Sequence, residues 1–173
     1  MTRNASLTFK KYKMNQTHIH LIITHLPIFG SLLGGLVLAY GLFTKTKETL
    51  IAAYILLIIS ALGAGIAYLT GEAAEESVEK IPGIIKNMIG QHEDIALVAL
   101  ISLILLGISS IFGIIFAVKQ STLTFKMAFV TLIISFISFG IISYTGYLGG
   151  KMRHTEVDNS QTIVIQPSKA STE

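Results

Sequence analysis

Residues 95–118 read IALVALISLILLGISSIFGIIFAV, 24 positions without an Asp, Glu, Lys or Arg. A helix rises about 1.5 Å per residue, so this segment reaches across the roughly 30 Å hydrocarbon core of a bilayer. Three more such stretches occur. Leu21–Phe43, Leu50–Leu69 and Met127–Gly150 carry no charge over 23, 20 and 24 residues. Together the four occupy 91 of 173 residues. Charged residues make up only 13% of the chain and hydrophobic residues 51%. A soluble domain needs about a quarter charged residues to cover its surface. The pattern therefore excludes a soluble enzyme, a nucleic-acid binder and a disordered chain. It predicts an all-α fold: a four-helix transmembrane bundle built from two helical hairpins, with short polar tails. The basic balance, 13 Lys+Arg against 10 Asp+Glu, reflects a small polar remainder and no nucleic-acid partner.

Around these stretches the chain divides simply. Residues 1–16 form a basic tail, 17–156 the membrane domain and 157–173 a polar tail with one β-prone run, Thr162–Ile165. A connection spans 71–91. Its Glu72–Lys80 part has helical character, and Pro82-Gly83 punctuates it. Four spans place both termini and this connection on one membrane face, called face A. The turns Thr44–Thr49 and Lys119–Lys126 lie on the other, face B. Nine Lys and Arg fall on face A and four on face B, so the positive-inside rule puts face A in the cytoplasm. The expected location is the bacterial cytoplasmic membrane, as a multi-pass protein. A weak repeat supports a pair of related hairpins: His20 precedes Thr70 by 50 residues, and His92 precedes Thr145 by 53; the plainer reading is that small and aromatic residues are common at span ends.

The absences narrow the chemistry. Without cysteine there is no disulfide, thiolate metal site, iron–sulfur cluster or covalently attached haem. No nucleophile–base pair and no phosphate loop is visible, so the chain does not read as an enzyme acting alone.

The histidines carry the functional signal. His18, His20 and His25 lie at the face A end of the first span, and His92 at that end of the third. His154 follows the fourth. His25 stands inside its apolar stretch, where an ionisable group is expensive unless paired or functional. Pro27, two residues on, should kink the helix beside it. The plainer role for His25 is a neutral imidazole bonded to a neighbouring hydroxyl or carbonyl. The functional role makes His25 the residue on which a site depends most, ahead of His18. His20 and His25 are five residues apart and point about 140° away from each other, so they cannot both face one helix. Most of the nine face A carboxylates read as a solvated face; Glu72 is the exception, because it directly follows the span end Thr70-Gly71.

The segment His20-Leu-Ile-Ile-Thr-His25-Leu-Pro27 resembles the opening signature of a bacterial family of four-helix integral membrane proteins of unknown function. That signature is a histidine, a second five residues later, and a proline two beyond. The family also shows a small-residue span end like Thr70-Gly71, a histidine opening the third helix like His92, and a glycine pair then a histidine, like Gly149-Gly150 and His154. The chain departs from it at Leu21, where the family often has proline. The resemblance implies redox company, because some members are joined to Rieske or c-type cytochrome modules.

Three readings stay open. In the first, His20, His25, His92 and His154 hold haem b for electron transfer. In the second, the same histidines and Glu72 bind a transition metal outside a haem. In the third there is no cofactor, and the chain is an accessory subunit of a membrane complex. The partners expected are the lipid bilayer and redox membrane subunits.

Overall fold

A computed structural model of the chain describes the backbone of residues 16–79 and 86–153, with side chains over 19–71 and 89–151. The described residues are helical apart from short turns. Helix α1 spans Gln16–Ile23, α2 His25–Thr44, α3 Lys47–Glu79, α4 Lys86–Val118 and α5 Thr124–Arg153. Among the described residues, four segments are long and apolar enough to cross a membrane: Ile19–Thr44, Lys47–Gly71, Ile89–Val118 and Thr124–Lys151. The protein is a multi-pass integral membrane protein with the four-helix architecture expected from its sequence. The tail histidine His154 and the run Thr162–Ile165 lie outside the described residues.

The first span is two helices in one. Its division falls at Thr24, three residues before Pro27. Proline lacks the N–H that would bond the carbonyl four residues back, and its ring crowds that carbonyl. That residue is Ile23, the last of α1, so the break falls where the proline's missing bond should have been. The Leu21 carbonyl, beside the break, accepts from Thr24 Oγ1 at 3.1 Å and from His25 Nδ1 at 3.0 Å.

Helix α2 packs on α3, α3 on α4, α4 on α5, and α5 back on α2, so the spans close a ring around one interior. α1 docks on α3. Both turns on face B end their helices with a left-handed residue that is not glycine, Lys45 (φ 55°) and Gln120 (φ 51°). At each, the following N–H reaches back across the turn: Thr46 to the Gly41 carbonyl at 3.1 Å, Ser121 to the Phe116 carbonyl at 3.0 Å. These bonds satisfy carbonyls that the helix ends leave open. On face A, α3 continues past its apolar span to Glu79, and α4 begins at Lys86. A helix of 33 residues is about 50 Å long, so α3 and α4 both outreach the hydrocarbon.

Burial runs opposite to that of a soluble bundle. Large apolar side chains such as Phe29, Tyr40, Phe43, Leu69, Leu105 and Phe129 stand on the outside. The interior holds Leu38, Leu50, Tyr54, Leu57, Leu103 and Leu106 together with many small and hydroxyl residues. Lipid tails solvate leucine as well as a protein core does, so helices associate through close packing and hydrogen bonds instead. In α2, Gly30 and Gly34 supply the close packing. A Cβ at Gly30 would stand 2.8 Å from Ser60 Cβ, and one at Gly34 only 2.6 Å from Leu57 Cδ2.

Hydroxyls supply the rest. Ser31 and Ser60 donate to the Pro27 carbonyl at 2.6 and 3.0 Å, and Ser135 donates to the Ser31 carbonyl at 2.7 Å. Between α4 and α5 the hydroxyls recur every seven residues. Thr124 donates to the Phe116 carbonyl, Thr131 pairs with Ser109, and Ser138 donates to the Ser102 carbonyl. The next position in that series, Thr145, brings α5 beside His92.

Candidate functional site

Two of the five histidines are brought together. His20 leaves α1 toward α3, and His92 leaves α4 toward α5. The two imidazoles come close enough at the face A end of the bundle to interact electrostatically.

Their seats are alike. His20 Nδ1 lies 2.8 Å from the Ala67 carbonyl oxygen and 3.3 Å from Thr70 Oγ1. A carbonyl only accepts, so Nδ1 carries the proton, and in the neutral ring Nε2 is bare. Thr70 spends its own proton on the Ile66 carbonyl at 2.9 Å, which leaves its oxygen free to accept. The ring rests on Gly71, whose Cβ, if present, would lie 3.5 Å from Cε1 and 3.9 Å from Nδ1. His92 rests on Gly149 in the same way, with 3.3 Å to Cε1 and 3.7 Å to Nδ1. Its ring lies beside the Thr145 backbone. Ala67 precedes Gly71 by four residues and Thr145 precedes Gly149 by four, so each imidazole sits on one turn of the neighbouring helix. The seats differ in one respect. His92 Nδ1 is buried, and no described contact meets hydrogen-bond geometry with it, although the Thr145 backbone is adjacent.

The other candidates fall elsewhere. The His25 ring is exposed on the outer surface, stacked on Phe29 at 6.4 Å between centroids, with Nδ1 held by the Leu21 carbonyl of its own span. This is the plainer of the two roles its sequence position allowed. Glu72 lies on α3 one residue past Gly71, and its side chain is outside the described set, as is that of His18. His154 lies beyond the described residues altogether. Glu93 and Asp94 are exposed next to His92. Among the described residues, no three His, Asp or Glu side chains converge to hold a metal ion.

The sequence placed His20 and His92 among four candidate histidines and showed their spacings to Thr70 and Thr145 only as a repeat of the hairpins; it did not show the seats. Ala67 contributes a backbone carbonyl, which has no residue-type signature. Gly149 stood in the motif as one of a pair; the pair divides, because Gly149 carries the ring and a Cβ at Gly150 would meet nothing within 4 Å.

No family model, no curated protein and no solved structure matches this chain.

Proposed function

We propose that this protein is a membrane-embedded electron carrier that holds haem b at face A between His20 and His92. The observation that carries the reading is the His20 seat: Nδ1–H is spent on the Ala67 carbonyl, so Nε2 is left bare and oriented. Anchoring one ring nitrogen on a carbonyl is how proteins prepare an imidazole to ligate through the other. The paired seats on Gly71 and Gly149 support it, because two imidazoles from different helices are what a six-coordinate haem takes from a protein. A bare metal ion takes three or four protein ligands, and the described residues bring only two together. When bound, the haem supplies one-electron chemistry. The protein's part is to orient the two imidazoles and to surround them with small residues and lipid-covered helices.

A second reading is favoured by one observation, the unpartnered Nδ1 of His92. A non-haem metal ion accepts either ring nitrogen. Glu72, His154 and His25 would then be sought as further ligands to His20 and His92. The proposed setting is the bacterial cytoplasmic membrane, with redox subunits as partners.

The test is a visible absorption spectrum with metal and haem analysis on protein purified from cells supplied with iron. A Soret band with about one haem per chain supports the carrier. Stoichiometric metal without a Soret band supports the second reading. Neither haem nor metal sinks both and leaves an accessory subunit.

A further inference from the structure

The α4–α5 pair carries a second feature, independent of the imidazole pair. A groove of about 480 Å³ runs between the two helices, from Ser102 to Phe112 on α4 and from Met127 to Ser138 on α5. Serines make its floor: Ser109 and Ser138 are buried and Ser102 half-buried. Their small side chains leave the space, and their hydroxyls are spent within the seam. Ser102 donates to the Ala99 carbonyl at 2.8 Å, Ser138 to the Ser102 carbonyl at 3.2 Å, and Ser109 pairs with Thr131 at 2.7 Å. The walls therefore present almost nothing but carbon. Ile108, Phe112 and Ile137 stand exposed along it, so it opens outward, toward lipid.

Its length narrows the occupant. Ser102 lies at the middle of the span Ile89–Val118, and Ser138 at the middle of Thr124–Lys151. The groove thus starts at the bilayer centre and runs toward face B only. From Ser102 to Phe112 the helix rises about 15 Å, half of a hydrocarbon core of roughly 30 Å. That is the depth of one leaflet, the distance covered by one phospholipid acyl chain. A partner helix that spans the membrane crosses both leaflets and is about 10 Å across, which matches neither the reach nor the volume of this groove.

Charge at the mouth narrows it further. Lys119 follows Phe112 by seven residues and Ile108 by eleven, so it lies on the groove side of α4. Its N–H still bonds the Ile115 carbonyl at 3.0 Å, which carries the helical course through that position. On α5, Lys126 precedes Ile137 by eleven residues and adjoins Met127. Both lysines are exposed. No carboxylate occurs between Asp94 and Glu156, so neither α4 beyond its first turns, nor the turn, nor α5 offers them an acid. Two unopposed cations at headgroup level, above a carbon-walled slot one leaflet deep, complement a lipid with a net negative headgroup.

We infer that the α4–α5 groove binds one acyl chain of an anionic phospholipid in the face B leaflet, with Lys119 and Lys126 holding the headgroup phosphate.

The chain has no tryptophan, so an introduced one reports alone. Phe112→Trp places it at the groove. Leu36→Trp places it on the exposed outside of α2, beneath the other basic turn with Lys45 and Lys47. Each full-length variant is reconstituted in phosphatidylcholine vesicles holding a minority of phosphatidylglycerol with brominated acyl chains, which quench tryptophan on contact. The groove should enrich that lipid about ten-fold over its share of the bilayer, so Phe112→Trp is quenched far more than Leu36→Trp. Adding Lys119→Gln and Lys126→Gln should remove the excess and leave quenching at Leu36→Trp unchanged, which also shows that the fold persists. Equal quenching at the two positions means ordinary surrounding lipid and overturns the inference. Weaker quenching at Phe112→Trp means that a partner helix or a second copy covers the groove, and overturns it too. An excess that survives loss of both lysines overturns the headgroup assignment and with it the inference.

Discussion

His92 rests on Gly149: a Cβ at that glycine would come within 3.3 Å of the imidazole Cε1. Such a contact is tighter than ordinary van der Waals packing, so a branched side chain there must move the ring. Gly149→Val is expected to displace His92 and to lower retention of any ligand at face A, at a stability cost of about 1–3 kcal/mol from overpacking. Gly150→Val, where nothing lies within 4 Å, is expected to leave ligand retention unchanged. Cofactor content per chain, measured on both variants at matched expression, checks the pair. Equal loss in both would show that the seat does not depend on Gly149.

Under the proposed function His20→Ala and His92→Ala should each abolish cofactor retention, because a group held by both imidazoles would be left to one. His25→Ala should keep the cofactor. It removes the bond to the Leu21 carbonyl at the break, worth about 0.5–1.5 kcal/mol, and so should lower the thermal midpoint slightly. Visible spectra of the three variants decide it. A spectrum lost in His25→Ala and kept in His92→Ala would reverse the assignment.

Gly34→Val should be among the more damaging single changes in the membrane domain. The new Cβ would meet Leu57 at 2.6 Å in the α2–α3 contact. A loss of about 1–3 kcal/mol is expected. Gly140→Ala, on a surface where nothing lies within 4 Å, should instead be neutral or stabilise by up to about 1 kcal/mol. Detergent unfolding midpoints of the two variants should move in different directions or by clearly different amounts.

The native chain has no cysteine, so single introduced cysteines report topology without background. Thr46→Cys and Thr122→Cys should label from one side of sealed vesicles. Ser6→Cys and Ile165→Cys should label from the other. The nine-to-four excess of Lys and Arg on face A assigns that second side to the cytoplasm. Labelling of positions 46 and 122 from the cytoplasmic side would invert the orientation.

The four spans, their lengths and the turns between them were legible in the sequence, because each rests on a local property. Twenty uncharged residues can cross a bilayer whatever their neighbours are. Pro27 announced a kink beside His25, since its missing N–H acts within one helix turn; the break appeared at Thr24, next to His25, because proline acts on the carbonyl four residues back, that of Ile23. The spacing of His20 to Thr70 was visible only as a sign of repeated hairpins; that the two side chains meet was not.

What the sequence left undecided are choices made between helices. His25 and His20 are equally good imidazoles in the same segment, and helix geometry says only that they point apart. Packing of α1 on α3 turned His20 inward onto the Ala67 carbonyl and left His25 outside, against Leu21 and Phe29. The seven-residue hydroxyl series on α5 likewise became a seam only once α4 supplied its partners in antiparallel register. Which face of a helix meets its neighbours depends on rotations that uniformly apolar spans do not encode, since lipid solvates every face alike. The sequence by itself determined that the chain spans a membrane four times. The tertiary structure decided which polar groups those spans enclose.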